Sequence, residues 1–163
     1  MFNIGDKIVY PCQGIGVIDC IEEREFKGEK QKFYKIDIFN STMKLTYPMN
    51  RIEDSNIRLV SESKDIDSYL EDFSKTTLTV EEIKSTTAKE RMSINSKKIK
   101  DGTLKDYLDV ILNLSEVMKN GNINANEKQV LNSTKSLVAE EISQSKNISL
   151  DEEKNLLDES LKN

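Results

Sequence analysis

The chain has 163 residues, of which 36% are hydrophobic and 33% are charged, and its formal net charge is -5. That length suffices for one medium domain or two small ones, and the many charged residues predict much exposed helix surface. No segment approaches the ~20 consecutive apolar residues that span a bilayer, and the first residues lack the basic start and apolar stretch of a signal peptide. We therefore expect a cytoplasmic protein with no membrane partner.

The first predicted elements are short strands, which occupy residues 7 to about 60. Gly5-Asp6 forms a tight-turn pair, Ile8 and Tyr10 alternate with Lys7 and Val9 as in a short strand, and Pro11 ends the pairing because it has no N–H to donate. Further strand-like runs are separated by turn residues at Gly28 and at Asn40-Ser41. These runs span residues 16–21, 33–38, 43–47 and 57–60. Four or five short strands predict a small bent β-sheet of the SH3-like or Tudor-like kind, whose exposed edges can pair with a partner strand.

After residue 60 the spacing of apolar residues changes from that of strands to that of helices. Thr79 with Glu82 makes a capping box for a helix from about residue 80 to 100, which Gly102 ends. An amphipathic helix follows over residues 104–118 and stops at Gly121. Two further helix starts are Asn124 with Glu127 and Ser149 with Glu152. Short connections predict a compact all-α bundle of four to five helices, so the chain is expected to be α+β, with a β domain at 1–60 and a helical domain at 61–163.

Catalysis finds no support among these residues. The chain contains no histidine, which is the commonest general base and a common metal ligand. Cys12 and Cys20 have neither a CxxC spacing nor a histidine beside them, so we expect no disulfide and no metal site. Acidic pairs such as Glu22-Glu23 are adjacent and point apart on a helix or a strand. We therefore expect a binding protein, not an enzyme, without catalytic residues or a cofactor.

Charge is distributed unevenly along the chain. Residues 1–60 hold nine basic and nine acidic side chains, whereas residues 84–105 hold seven basic side chains against two acidic ones. Residues 61–83 and 140–163 are acidic. The basic segment is either a solvated helix face or a short patch that contacts phosphates.

An ordered set of residues resembles a known family. The opening ones are Phe2, Gly5-Asp6-Lys7-Ile8-Val9-Tyr10-Pro11 and Gly14-Ile15-Gly16. The later ones are Arg24 before the Gly28 turn, Pro48 after a strand, then Arg91, Asn95, Lys98, Ile99 and Gly102, and finally Asn124-Ala125-Asn126-Glu127-Lys128 leading to Leu131. In this order, and over nearly the whole chain, they resemble the CarD/CdnL family of bacterial transcription regulators that bind RNA polymerase.

The resemblance implies that the N-terminal sheet binds the β-subunit lobe of RNA polymerase. In that family, one basic residue before the glycine turn and another just ahead of the proline meet the polymerase. Arg24 matches the first position, with a solvated strand residue as the alternative. Thr46 occupies the second position and brings no charge, whereas Lys44 lies two residues earlier on the same strand face. The implied polymerase-binding residues are therefore Arg24, Lys44 and Thr46.

The resemblance also implies that the helical domain contacts promoter DNA near the upstream edge of the transcription bubble, through the backbone and minor groove and without reading sequence. Arg91 and Lys128 match basic positions of the family. Lys98 lies two turns after Arg91 on the same helix face, and Lys89 adjoins the wedge position described below. Each is expected to neutralise a phosphate, with a solvated helix charge as the alternative.

The family's wedge residue, a tryptophan that enters the minor groove, aligns with Ala88, and the chain contains no tryptophan. Alanine cannot brace an opened base step. Met92, one turn later, is either a smaller apolar wedge or a residue that packs in the bundle. We therefore expect a regulator that modulates open-complex stability with a weakened or altered effect.

A second interpretation is a protein-interaction adaptor that binds no DNA, which suits the negative net charge. The two interpretations differ in whether Lys89, Arg91, Lys98 and Lys128 converge on one surface, because scattered positions favour the adaptor. A monomer is expected, although a sheet edge could also pair with a second copy.

Overall fold

The computed structural model describes residues 1–26, 28–76, 85–121 and 123–148. The chain forms two compact units, the first Met1–Val60 and the second beginning at Ser61. Antiparallel strands make up the first unit and helices dominate the second, which confirms the predicted α+β class. The capping box predicted at Thr79 and Glu82 and the last helix predicted from Ser149 lie outside the described residues.

One antiparallel sheet forms the first unit. Its strands are β1 (Lys7–Tyr10), β2 (Gly14–Phe26), β3 (Glu29–Ile38), β4 (Lys44–Pro48) and β5 (Arg58–Leu59). Their order across the sheet is β4-β3-β2-β1-β5. A 3₁₀ turn, Met49–Asp54, therefore carries the chain from one edge of the sheet to the other.

The hairpin formed by β2 and β3 is much longer than the strands beside it. Its last pair is Phe26 opposite Glu29, and Gly28 in the turn has a φ of 80°, a left-handed conformation that glycine adopts without strain. β1 pairs with residues 14–17 of the hairpin, and β4 pairs with residues 33–37. In the described part of the chain, the outer half of the hairpin consequently has no strand beside it.

One face of the sheet forms the core of the first unit, because alternate residues of each strand point to the same side. The core residues are Ile8, Ile18, Tyr34, Ile36, Ile38, Ile52 and Ile57. The Tyr34 hydroxyl accepts a hydrogen bond from the Phe2 backbone N–H at 3.0 Å, which holds the N-terminal segment against this core. At Gly16 a β-carbon would lie 2.6 Å from the Asp37 carbonyl oxygen, so the close approach of β2 and β3 requires glycine there.

The described residues of the second unit form a bundle of four helices. They are α1 (Ser63–Lys75), α2 (Ala88–Asp101), α3 (Leu104–Lys119) and α4 (Ala125–Lys146). α3 is central: it packs against the other three helices, and Tyr107, Ile111 and Leu114 on it are fully buried. None of the described helices has the length and apolar character needed to cross a membrane.

The start of α2 differs from the prediction. Thr87 is the N-cap: its hydroxyl accepts from the Glu90 backbone N–H at 3.3 Å, while the Glu90 carboxylate accepts from the Thr87 backbone N–H at 2.8 Å. The prediction of one helix running from about residue 80 is wrong, because residues 85–87 are not helical. The predicted end at Gly102 and the predicted capping box of Asn124 and Glu127 at the start of α4 are both confirmed.

The chain enters the second unit at Ser61, which is tied to α4. The fully buried carboxylate of Glu141 accepts from the Ser61 backbone N–H at 3.0 Å and from the Ser61 hydroxyl at 2.8 Å. The Ser145 hydroxyl donates to the Ser61 carbonyl at 2.6 Å. These three bonds fix the segment before α1 against the last turns of α4.

Candidate functional sites

The face of the sheet opposite the core gathers the three residues predicted to bind polymerase. In the strand register Lys35 lies opposite Thr46 and Asp37 lies opposite Lys44, so all four share one face. Arg24 lies opposite Gln31, which is four residues before Lys35 on β3 and therefore on that face as well. We call this surface the polar sheet face and define it by Glu22, Arg24, Phe33, Lys35, Asp37, Lys44 and Thr46.

Arg24 is held on the polar sheet face by Glu22. The Glu22 oxygen Oε2 accepts from Arg24 Nε at 2.9 Å and lies 2.8 Å from Nη2, and Lys35 Nζ lies 3.3 Å from the same oxygen. The hydrogen bond from Arg24, helped by Lys35, holds the pKa of the Glu22 carboxyl below its ordinary value. The Arg24 guanidinium also lies 5.8 Å from the centroid of the Phe33 ring, within cation–π range. With 48% of its side chain exposed, Arg24 stays accessible to a partner.

Lys44 is paired within the polar sheet face. Its Nζ donates to Asp37 Oδ2 at 2.8 Å, and this hydrogen bond raises the pKa of Lys44. Thr46 is exposed one alternation further along β4 and carries no charge. The structure thus places Arg24, Lys44 and Thr46 on one face of the sheet, and it adds Glu22, Lys35 and Phe33, which the family resemblance does not single out.

Arg91 lies inside the helical unit, not on its surface. The residue is 7% exposed, its Nε lies 3.0 Å from Glu127 Oε1, and its Nη1 donates to the Thr86 carbonyl at 2.8 Å. Glu127 is fully buried. This ion pair joins the first turns of α2 and α4 and leaves the guanidinium little surface for a phosphate.

Lys98 shares the inward side of α2 with Arg91, as their spacing predicts. Lys98 Nζ lies 2.8 Å from Asp109 Oδ2 on α3, and Asn95 between them donates from Nδ2 to Asn113 Oδ1 at 3.3 Å. One third of the Lys98 side chain is exposed. The positive charge of Lys98 is therefore already matched by a carboxylate of the bundle.

The opposite side of α2 is basic and exposed. At about 100° per residue, Lys89 lies about 200° around the helix from Arg91, and Lys100 lies about 20° from Lys89. We call this side the outer face of α2 and define it by Lys89, Ser93, Ser96, Lys97 and Lys100, all of which are exposed. Neither Lys89 nor Lys97 forms an ion pair within the part of the chain that the structure describes. The lysine spacing of eight and eleven residues is the sequence signal for this face.

The apolar residues of α2 differ in exposure. Ala88 is the first residue of the helix and is half-buried, as is Met92. Ile94 is 51% exposed, and Lys97 follows it by one turn. The large apolar side chain that α2 presents to solvent is therefore Ile94, which was not among the predicted residues.

Lys128 is exposed in the first turn of α4, directly after Glu127. Because Glu127 binds Arg91, Lys128 lies near the beginning of α2. The four cations predicted to bind DNA nevertheless do not form one surface: Arg91 is buried, Lys98 is paired, and Lys89 faces away from both.

Two family models match this chain. The CarD-like/TRCF RID domain matches residues 2–61, which include the whole sheet, and the CarD C-terminal domain matches residues 76–158, which include α2, α3 and α4. A protein of Bacillus subtilis (strain 168) described as "Putative transcription factor YdeB" is 35% identical over 142 residues. That alignment covers 87% of this chain and 90% of the relative.

Proposed function

Because the chain belongs to the CarD family of transcription regulators, we propose that it binds the β-subunit lobe of RNA polymerase through residues 1–60 and promoter DNA through residues 61–163. The first matched family is named for an RNA polymerase-interacting domain, and both matched families are regulator families, not enzyme families. In this proposal the protein is a monomer tethered to polymerase that modulates the stability of the open promoter complex.

The observation that carries the polymerase contact is the polar sheet face. Arg24, Lys44 and Thr46 come from β2 and β4, yet the register places them on one exposed face. That face combines charge with the partly exposed ring of Phe33, and such a mixture of cation and aromatic surface is typical of protein interfaces. A complementary acidic surface on the polymerase lobe fits it.

DNA binding in this proposal uses the outer face of α2 together with Lys128. Lysines there are exposed, and Lys89 and Lys97 form no ion pair within the described residues, so these two can exchange water and counterions for phosphates. Arg91 is left out because it is buried, and Lys98 contributes only if it leaves Asp109. The contacts carry charge without base recognition, so binding is sensitive to salt.

The effect on promoter opening is weaker in this proposal than in a family member with a tryptophan wedge. Ala88 is half-buried at the first turn of α2 and is too small to enter a base step. Met92 is half-buried as well. Ile94 is exposed and is the best-placed apolar residue of α2 for contact with opened DNA.

An electrophoretic shift on fork-junction promoter DNA at low salt, with and without the cognate polymerase, tests the proposal. We expect a supershift that depends on polymerase. The double variant Lys89→Gln/Lys97→Gln should weaken the shift roughly tenfold, because two phosphate contacts are removed. Lys98→Gln is the matched control on the same helix, and it should change the shift by less than about twofold since Asp109 already pairs with this lysine. Absence of any polymerase-dependent supershift contradicts the DNA contact.

The adaptor that binds only proteins remains the second candidate, and the scatter of Lys89, Arg91, Lys98 and Lys128 favours it. It predicts that polymerase binding persists while both variants above leave the DNA shift of the polymerase unchanged. The outer face of α2 then serves only to keep the bundle hydrated.

A further inference from the structure

The cluster of Glu22, Arg24 and Lys35 is one negative charge short of neutrality. We infer that Lys35 is the second basic contact of the polar sheet face, and that Arg24 and Lys35 together bind one aspartate or glutamate of the polymerase lobe. The inference rests on the proposed function and names the chemistry of its docking site. Lys35 is not among the residues predicted from the family resemblance.

The geometry of Glu22 shows why a further carboxylate fits. One oxygen, Oε2, receives the contacts from Arg24 Nε, Arg24 Nη2 and Lys35 Nζ. An arginine carries five N–H donors and a lysine three, so both side chains keep donors that Glu22 does not use. Glu22 supplies one negative charge against the two positive charges of Arg24 and Lys35. A carboxylate from a partner supplies the second negative charge.

Glu22 also prepares the site for that partner. It holds two long side chains of neighbouring strands within reach of one point, so less side-chain entropy is lost when the partner binds. The cation–π contact of Arg24 with Phe33 restrains the guanidinium further.

Lys35 can supply the positive charge that Thr46 does not bring to the polar sheet face. The two residues are directly opposite in the register of β3 and β4, and side chains of such a pair start about 5 Å apart. A cation at position 35 therefore covers nearly the same place on the polar sheet face as a cation at position 46. Its side chain is 30% exposed, so part of it is accessible to a partner.

Lys44 is the competing candidate, and its pairing argues against it. Asp37 lies 2.8 Å from Lys44 Nζ, so that pair is neutral and a partner must break it to gain a full contact. Arg24 and Lys35 share only the carboxylate of Glu22. A carboxylate of the partner can therefore bind them without breaking an internal ion pair. Lys35 is consequently expected to contribute more to binding than Lys44.

The test measures the affinity of the full chain for the isolated β-subunit lobe of the cognate polymerase, by titration calorimetry. Arg24→Gln and Lys35→Gln should each weaken binding roughly tenfold, since a hydrogen bond to a charged group is lost in each. Lys44→Gln makes the same charge change at the competing candidate and should weaken binding by only about threefold, because Asp37 already pairs with Lys44. Lys32→Gln is the matched control, because Lys32 is exposed on the other face of the hairpin, and it should stay within about twofold of the unmodified chain. Circular dichroism melting of all four variants checks that the sheet remains folded.

The outcomes separate this inference from the proposed function. If the unmodified chain does not bind the lobe, the proposed function and the inference both fail. If the chain binds, and Lys35→Gln binds as tightly as the unmodified chain while Lys44→Gln is weakened, the inference is overturned and the proposed function stands. Equal weakening by Lys35→Gln and Lys44→Gln also overturns it, because a general charge effect then explains the binding.

Discussion

The buried ion pair of Arg91 and Glu127 connects the first turns of α2 and α4. Glu127 has a second task, because its carboxylate also accepts from the Asn124 backbone N–H at 3.1 Å as part of the capping box. One buried carboxylate therefore serves both a helix start and a contact between helices. Removing its cation leaves a buried charge without compensation, which is costly in a protein interior.

We expect Arg91→Met to lower the free energy of unfolding by about 3 to 5 kcal/mol, the range for breaking one side of a buried ion pair. Urea denaturation followed by circular dichroism measures the change. Lys97→Met on the exposed side of α2 is the control and should stay within about 0.5 kcal/mol of the unmodified chain. A loss below about 1 kcal/mol for Arg91→Met would show that Arg91 is not the structural residue described above.

Glu22 gives the polar sheet face a measurable pH signature. Its ordinary pKa of 4.5 is lowered in the folded chain, because Arg24 donates a hydrogen bond to it and Lys35 lies close by. The carboxylate is therefore stabilised above the unfolded pKa, and this stabilisation is lost as pH falls through the lower, folded pKa.

Titration of the Glu22 carboxyl carbon by NMR should give a midpoint below 4.5, and Arg24→Ala should raise that midpoint towards the ordinary value. An unchanged Glu22 midpoint in Arg24→Ala would mean that the contact between the two side chains does not persist in solution.

The two sides of α2 differ, and because its inward side is polar, the sequence did not indicate which side is buried. Most helices bury apolar residues, so the buried side follows from the apolar spacing. α2 instead buries Arg91 and Asn95 and leaves Ile94 exposed. The spacing of Arg91 and Lys98 correctly predicts a shared side, but charged residues alone do not indicate that this side faces inward.

The prediction of where α2 begins failed for a different reason. The pattern threonine, two residues, then glutamate occurs at Thr79–Glu82 and again at Thr87–Glu90, and either can form a capping box. The structure shows the second as the start of α2. By contrast, the starts and ends marked by a single signal were predictable: Gly102 after α2, Gly121 after α3, and Asn124 with Glu127 before α4.

The sheet was predictable because its strands alternate apolar and polar residues and its turns are marked by Gly28 and Asn40. What the sequence did not indicate is register, since a pairing partner depends on tertiary contacts. The alignment of Lys35 opposite Thr46, and so the membership of Lys35 in the polar sheet face, is visible only in the structure.

The exposed side chain of Ile94 on α2 leads to a prediction about binding to opened DNA. Ile94→Ala should reduce the preference of the chain with polymerase for fork-junction DNA over closed duplex by about threefold to tenfold, because an apolar contact of roughly 1 kcal/mol is lost. Competition binding with the two DNA forms measures this preference. Met92→Ala is the control, and it should lower thermal stability instead of the preference because Met92 is half-buried. The opposite pattern, with the preference sensitive to Met92 alone, would assign the wedge to Met92.

At the scale of the whole molecule, the net charge of -5 is compatible with the proposed DNA contact because charge is local. At an ionic strength of 0.15 M, charges more than about 8 Å apart at the surface are largely screened, so acidic residues elsewhere do not cancel the lysines of α2. The acidic chain should lack general affinity for nucleic acid and bind it only where polymerase holds it in place.

The salt dependence of DNA binding by the complex with polymerase, compared with polymerase alone, tests this view. If Lys89, Lys97, Lys100 and Lys128 each neutralise a phosphate, the slope of log K against log salt should be steeper by about 3 to 4 when the chain is present. The chain without polymerase should show no measurable binding at physiological salt. An identical slope with and without the chain would exclude these contacts.

The polar sheet face lies in the first unit and the outer face of α2 lies in the second. Binding to polymerase should therefore be separable from binding to DNA. The most direct test is binding of the full chain to the polymerase β-subunit lobe, with Arg24→Glu in the first unit and Lys97→Glu in the second as matched charge reversals. We expect the unmodified chain and Lys97→Glu to bind alike, while Arg24→Glu loses binding and keeps its fold by circular dichroism. Retention of full affinity by Arg24→Glu, or no binding by the unmodified chain, would show that the polar sheet face is not the polymerase contact.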